Sequence, residues 1–388
     1  MAILHEIEKY LTGAEYNKAA IYSHLAGNGA TAALEAKLCS LYGAKYALCV
    51  SSATNGLMYL LMAAGLQKSD ILTTPLSFGG TIAGALALDC RFYFAKINDS
   101  TLNIDVDSIT NILDSNPGIK AIVATEFAGN SYDMEALHYI CEQRGVWHFV
   151  DSAQALGYNY GISNIADYND AMVVSFGTGK TVSAGGEGGA IITNNLELYQ
   201  KLMSICQHPH RQERDCGIGL SSELALNGRI HPIAAIIANE TFEYGLQELA
   251  QKRKVMIDVL DRLSKLKSVF CILNQNGGTF YHCPFVVENE CNFKKEFADS
   301  PLADEYYYTK ACFVPIPEQL VRIGERYRIG FYDGDNLEKT LKQLYEVVPA
   351  DKVQKAAQDF RKATAEDLKK AGDSNTYGYR QYLIDSKR

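Results

Sequence analysis

The sequence lacks the long apolar segment that a membrane-spanning helix requires. Such a helix needs about 20 predominantly apolar residues, and no run of that length occurs among the 388 residues. The first residues, MAILHE, also lack the charged and apolar regions of a secretory signal. We therefore expect a cytoplasmic protein that does not bind membranes.

The sequence also lacks the cysteine spacings of metal sites and an excess of positive charge. The ten cysteines contain no Cys-x-x-Cys pair and form no cluster with histidine, so we expect free thiols and no bound metal. The formal net charge is -8, and lysine and arginine are dispersed along the chain. Nucleic-acid binding proteins carry a basic stripe or patch, so we expect no nucleic-acid partner.

What the chain does have is a regular alternation of short apolar segments with helical patterns. The candidate strands are residues 46–50, 71–74, 91–95, 121–125, 148–150, 171–175 and 190–193. Strands separated by helices predict an α/β fold with a mostly parallel central sheet flanked by helices. We expect a large domain over residues 1–244, a bridging helix and a smaller domain over residues 245–349, and a polar helical tail over residues 350–388.

Lys180 stands between an apolar run, residues 171–174, and a glycine cluster at residues 185–189. Burial removes water from an amine and favours its neutral, nucleophilic form, which condenses with an aldehyde. An ordinary surface lysine on a turn is the alternative interpretation. Lys180 by itself does not decide between the two.

Asp151 ends another candidate buried strand, at the sheet edge where ligands bind in open parallel sheets. Pyridoxal phosphate requires a lysine for its attachment and an acid beside its pyridine nitrogen. An aspartate in this position also serves as a helix N-cap. It is the combination of Asp151 with Lys180 that predicts this cofactor.

A phosphate site is expected where residues 51–56, which are small or hydroxylated, precede an apolar helix predicted over residues 57–66. The free amides and the dipole at a helix start attract anions. Ser175 offers a further hydroxyl. A plain helix cap without a ligand remains the alternative.

Together these motifs resemble those of the DegT/StrS-type aminotransferases, fold-type I pyridoxal-phosphate enzymes that aminate nucleotide-linked keto sugars. The resemblance extends from about residue 27 to residue 244. It implies a smaller C-terminal α+β domain and a homodimer with the active site at the subunit interface. It also implies transfer of an amino group from an amino acid, glutamate or glutamine, to a keto sugar or another small ketone.

The resemblance assigns roles to individual residues. Lys180 would form the Schiff base, Asp151 would pair with the ring nitrogen, Gln154 would approach the phenolic oxygen, and Phe78 would stack on the ring. Phe78 as a core residue is the alternative. The related sugar dehydratases carry a histidine in place of the lysine, so Lys180 argues against them.

Further residues are assigned to the phosphate by the same resemblance. Ser52, Ala53, Thr54 and Ser175 would hold it within one subunit. Asn227 would reach the phosphate of the neighbouring subunit, which would make the dimer necessary for activity. Asn227 and the glycine after it also read as an ordinary turn.

The carboxy-terminal part departs from this pattern. Residues 277–287 and 327–331 look like paired strands of amino-acid aminotransferases, in which an arginine holds the substrate carboxylate. Arg328 is the candidate anchor, because a guanidinium binds a carboxylate through two parallel hydrogen bonds; a solvent-exposed arginine is the alternative. His208 and His210, on a segment read as a polar loop, are further substrate candidates. A lyase, racemase or decarboxylating enzyme acting on an amino acid is therefore the alternative function.

Overall fold

The computed structural model describes residues 2–12, 26–74, 77–98, 101–217, 225–263, 269–271, 277–281 and 285–287. The helices are α1 (Ala2–Thr12), α2 (Ala30–Tyr42), α3 (Ala53–Ala63), α4 (Gly80–Ala87), α5 (Ile109–Ser115), α6 (Met134–Arg144), α7 (Leu196–Cys206), α8 (Pro209–Cys216) and α9 (Pro232–Leu263). The strands are β1 (Tyr46–Val50), β2 (Asp70–Thr73), β3 (Arg91–Phe94), β4 (Ile119–Thr125), β5 (Trp147–Asp151), β6 (Ala171–Ser175), β7 (Gly189–Thr193), β8 (Val269–Cys271) and β9 (Phe285–Val287). Short 3-10 helices lie at Val106–Ser108, Phe127–Gly129 and Ile165–Tyr168.

Seven strands form one mixed sheet in the order β1-β7-β6-β5-β4-β2-β3. Strand β7 runs antiparallel to both of its neighbours, β1 and β6, whereas the other neighbouring strands are parallel. Each of the seven predicted strands is present, and the mostly parallel α/β architecture is confirmed. A separate antiparallel pair joins β8 to β9.

Apolar side chains cover both faces of this sheet. Successive residues of a strand point to opposite faces, and β6 shows the consequence. Val173 packs in a core with Leu57 of α3, while Val174 packs in a second core with Leu34 of α2. These side chains are at most 3% exposed, and burying each of them stabilises the fold by roughly 1.5–3 kcal/mol.

Two helices begin earlier than the sequence pattern predicts. Helix α3 starts at Ala53 rather than at residue 57, because Ser52 caps it: its hydroxyl accepts from the amide of Asn55 at 3.2 Å. Helix α9, the expected bridging helix, starts at Pro232 and therefore before residue 245, and proline suits the first position of a helix. Since α9 continues through residue 244, the division into domains at that residue stays a prediction.

The polar segment expected to be a loop around residue 210 forms helix α8. His208 is its N-cap, and its ring nitrogen Nδ1 accepts from the amide of His210 at 3.3 Å. Proline at the first helical position favours this start. The prediction of a loop was wrong because the buried side of this helix carries the polar residues Arg211 and Gln212. The segment therefore shows no apolar pattern that would indicate a helix.

Two features are absent from the described residues. None of the helices there combines the length and apolarity needed to cross a membrane. The same residues contain no group of three or more His, Cys, Asp or Glu side chains that could hold a metal ion.

Candidate active site

A cavity of about 390 Å³ opens at the carboxyl ends of β4, β5 and β6, beside the starts of α3 and α4. This is the edge at which ligands bind in open α/β sheets. The structure brings eight of the predicted site residues to its wall: Ser52, Ala53, Thr54, Phe78, Asp151, Gln154, Ser175 and Lys180.

Asp151 ends β5 and is only 8% exposed. Its Oδ2 accepts from the hydroxyl of Thr81 at 2.6 Å, and its Oδ1 accepts from the amide of Ala153 at 3.1 Å. Burial raises the pKa of Asp151, whereas these two hydrogen bonds and the charge of Lys180 oppose the rise. The two hydrogen bonds hold the carboxyl in one orientation. A cation bound beside it would stabilise its charged form.

Thr81 is a site residue that the sequence reading missed. It lies in the first turn of α4, is 2% exposed, and also bonds to the hydroxyl of Ser77. Both hydroxyls line the cavity. No local signal identifies Thr81, because only the packing of α4 beside β5 brings its hydroxyl to Asp151.

Lys180 closes a tight turn after β6, in which its amide donates to the carbonyl of Gly177 at 3.1 Å. Gly179 takes the left-handed conformation, with φ of 83°, which a glycine adopts without strain. The side chain of Lys180 is half-buried, and its Nζ lies 4.0 Å from the ring centre of Tyr281. The turn therefore presents the amine to the cavity.

The wall at the start of α3 is suited to an anion. Ser52 caps the 11-residue helix, and Ala53 and Thr54 begin its first turn, where free amides and the helix dipole favour negative charge. Gly189 allows β7 to lie close to the start of α3, since a Cβ at residue 189 would lie 2.6 Å from the amide nitrogen of Ala53. Ser175 adds a hydroxyl, which accepts from the amide of Gly177 at 3.2 Å.

Phe78 and Gln154 occupy other parts of the wall. Phe78 is 62% exposed although it is a large aromatic residue, so it is not part of the core and its ring is open to a ligand. The Oε1 of Gln154 accepts from the amide of Ala128 at 2.6 Å, which fixes the side chain at the rim.

Glu126 is a second carboxyl on the cavity wall that the sequence reading missed. It is 1% exposed and accepts from the hydroxyl of Ser152 at 2.5 Å and from that of Tyr160 at 2.8 Å. Burial raises the pKa of Glu126 to about 7, although these hydrogen bonds oppose the rise. Nothing in the sequence around Glu126 marks it, because its partners come from a different loop.

Asn227, His208 and His210 do not line the cavity of their own protomer. Asn227 has a φ of 50°, and its side-chain oxygen accepts from Arg229 at 2.5 Å. Arg328 lies outside the described residues. The roles expected for these four residues therefore stay predictions.

Arg211, beside the two histidines, is engaged inside the protein. It is 2% exposed, and its guanidinium donates to both carboxylate oxygens of Glu35, at 3.1 and 2.6 Å. The same carboxylate accepts from the amide of Cys49 at 2.7 Å. This cation ties α8 to α2 and is not available to an anionic substrate.

The donor set of the cavity suits pyridoxal phosphate. It offers an amine for the aldehyde, a buried carboxyl for the pyridine nitrogen, an exposed aromatic face for the ring, and a helix start with hydroxyls for the phosphate. All of these groups face one cavity large enough for a small ligand.

Comparison with known proteins agrees with this chemistry. The model of the DegT/DnrJ/EryC1/StrS aminotransferase family matches residues 11–324. The chain belongs to this family. A transaminase of Helicobacter pylori, named for UDP-4-amino-4,6-dideoxy-N-acetyl-beta-L-altrosamine, is 29% identical over 62% of this chain and 63% of its own length.

A second curated protein and a solved structure are also similar to this chain. The spore coat polysaccharide biosynthesis protein SpsC of Bacillus subtilis is 33% identical over 45% of this chain and 44% of its own length. The chain thus matches less than two thirds of either curated relative. The X-ray structure of an aminotransferase from Psychrobacter cryohalolentis superposes with a TM-score of 0.68 at 17% identity, covering 94% of this chain and 96% of that one, which supports the fold-type I architecture.

Proposed function

We propose that this member of the DegT/DnrJ/EryC1/StrS family is a pyridoxal-phosphate-dependent aminotransferase. It would move an amino group from glutamate or glutamine to a keto sugar. The observation that carries the proposal is the convergence of Lys180, Asp151, Ser175 and the start of α3 on one cavity. Family membership supports the reaction type.

Pyridoxal phosphate, when bound, supplies an electron sink and a temporary carrier of the amino group. Lys180 would hold the cofactor and, once its Nζ is free, move a proton between the amine-bearing carbon of the substrate and the carbon of the cofactor that carries the amino group. Its turn keeps the amine at the cavity wall, where Tyr281 covers it at 4.0 Å. A base held this close to the reacting atoms acts as an intramolecular group.

Asp151 would hold the proton on the pyridine nitrogen. Thr81 and Ala153 fix both of its oxygens, so the carboxylate meets the ring without reorientation. Phe78 would fix the plane of the ring with its exposed face. The start of α3 and Ser175 would bind the phosphate through amides and hydroxyls.

A keto sugar is the acceptor that the relatives favour. One of them is named as the transaminase of an amino-sugar nucleotide, and another as a protein of spore coat polysaccharide biosynthesis. Glutamate and glutamine are the donors expected for such a reaction. The cytoplasm is its expected compartment, and the described cysteines, which are free, would stay reduced there.

A half-reaction tests the reaction type. Purified yellow protein is mixed with glutamate, with glutamine and with other amino acids, and its absorbance is followed. We expect a shift to the spectrum of the aminated cofactor with one of these donors. A protein that binds the cofactor and never shifts is not an aminotransferase; it would be the lyase, racemase or decarboxylase alternative.

Attachment of the cofactor is tested separately. Borohydride reduction should fix the cofactor to Lys180, and peptide mass spectrometry locates it. Lys180→Ala should abolish the attachment, whereas Lys201→Ala, which changes an exposed lysine paired with Glu197, should leave it intact. Continued trapping in Lys180→Ala would remove the central assignment.

We also propose that the active unit is a homodimer in which Asn227 acts on the neighbouring site. Its absence from the cavity wall of its own protomer is compatible with that role. Lys180→Ala and Asn227→Ala chains, each inactive alone, are mixed after mild dissociation. If Asn227 acts across the interface, half of the dimers contain one intact site, and about a quarter of the wild-type activity returns. No recovery in mixed dimers would contradict the proposal.

A further inference from the structure

Residues 277–281, here called the covering segment, lie against the cavity although they come from beyond the long helix α9. Thr279 holds the segment in place through two hydrogen bonds. Its amide donates to the carbonyl of Gly129 at 2.9 Å, and its hydroxyl donates to the carbonyl of Gln154 at 2.6 Å. The segment is therefore bonded to the loops that follow β4 and β5.

Arg253 of α9 supplies a second attachment. Its Nε donates to the carbonyl of Gly278 at 2.9 Å, and its Nη2 donates to the carbonyls of Gly277 at 3.0 Å and Gly157 at 3.1 Å. The planar guanidinium places its donors in a fixed fork. One side chain thus joins α9, the covering segment and the loop after β5.

The backbone at this contact is tightly fitted. Gly129 has a φ of +84°, and a Cβ there would lie 1.9 Å from the hydroxyl oxygen of Thr279. Phe280 is 1% exposed and has a φ of 50°, an unusual conformation for a bulky residue. Such a conformation persists only where the surroundings fix it, and here it directs the next residue, Tyr281, toward the cavity.

Tyr281 places its ring 4.0 Å from the Nζ of Lys180. Both side chains are half-buried, so water screens their interaction less than it would at an open surface. An aromatic face attracts an ammonium group without neutralising it. The charge of Lys180 also acts on the carboxyl of Asp151, and Glu187 lines the same cavity, but it is the ring of Tyr281 that lies against the Nζ.

We propose that Tyr281 is a positioning residue for Lys180: its ring, held by Arg253, keeps the charged amine over the cavity whenever the amine is free. The inference deepens the proposed function, in which Lys180 must carry a proton at Nζ. It explains why a segment from beyond α9 reaches the site. Without the ring, the amine would lose the contact that holds it at the cavity wall.

Lysine reactivity in the cofactor-free protein tests this proposal without depending on catalysis. Acetic anhydride is added at pH 8, and peptide mass spectrometry measures the rate at Lys180 relative to Lys120, an exposed lysine on β4. Tyr281→Leu should raise the relative rate about 5-fold, because it removes the aromatic face that lies against the amine. Tyr281→Phe keeps the ring and should stay within about 2-fold of wild type.

Arg253→Met tests the support of the ring from a residue that does not contact Lys180. It keeps a long apolar side chain but removes the fork, so it should reproduce most of the Tyr281→Leu increase. Either a wild-type rate in both Tyr281→Leu and Arg253→Met, or equal acceleration by the Phe and Leu variants, would overturn the proposal. Because the assay needs no cofactor, its outcome is distinct from a failure of the aminotransferase assignment.

Discussion

Thr81→Val is the substitution that most directly tests how Asp151 is held. Valine has nearly the same shape as threonine but cannot donate to the Oδ2 of Asp151, a hydrogen bond of 2.6 Å in a site where Thr81 is 2% exposed. A hydrogen bond to a charged group contributes about 1.5–3 kcal/mol. We expect the cofactor-free variant to lose about 2 kcal/mol of its free energy of unfolding at pH 8.

The loss should depend on pH in a definite direction. Burial raises the pKa of Asp151 above its usual value, so its stabilising contribution is complete below the unfolded-state pKa and is lost as pH rises through the folded-state pKa. Removing the Thr81 hydroxyl raises the pKa of Asp151 further. The deficit of the variant should therefore be small at pH 4 and grow toward pH 8.

Urea unfolding at a series of pH values measures this effect, and Thr81→Ser, which keeps the hydroxyl, is the matched control. A double-mutant cycle with Asp151→Asn isolates the pair. The reasoning is refuted if the Thr81→Val deficit does not vary with pH and is equally large in the Asp151→Asn background. The loss would then come from packing and not from the carboxylate.

Three further substitutions give separate checks. Because burial raises the pKa of Glu126 to about 7, stability should fall as pH rises through that range, and Glu126→Gln should remove a loss on the order of 3 kcal/mol between pH 5 and pH 8 in urea unfolding. Phe78→Ala should change stability by less than about 0.5 kcal/mol, since the ring is 62% exposed, but should weaken cofactor binding about 10-fold in an absorbance titration; a large loss of stability would instead indicate a core residue. Gly189→Ala should cost about 1–3 kcal/mol in thermal unfolding, because its Cβ would meet the backbone of Ala53, whereas Gly186→Ala, whose Cβ would meet nothing within 4 Å, should be tolerated.

Much of the fold could be predicted because local pattern and tertiary role agree. The apolar run before Lys180 is β6, and the run before Asp151 is β5. Parallel strands bring their carboxyl ends to one edge, so two residues distant in sequence were expected in one cavity. The apolar pattern placed the start of α3 too late. The amide of Asn55 donates to the hydroxyl of Ser52, so the helix already begins with the small residues that follow Ser52.

The rest of the site depends on contacts between segments that are far apart along the chain. Thr81 reads as an ordinary helix residue until α4 packs beside β5, and Arg211 reads as exposed until α8 meets Glu35. Tyr281 has no local feature that relates it to Lys180.

The sequence by itself determined the strands, the lysine, the carboxyl at a strand end and the hydroxylated helix start, because each is encoded within a few neighbouring residues. Only the tertiary structure decided which side chains hold those groups in place. Thr81 on Asp151 and Tyr281 on Lys180 arise from the packing of separate elements, and hydrogen bonds and ring contacts of that kind leave no periodic signal in the chain.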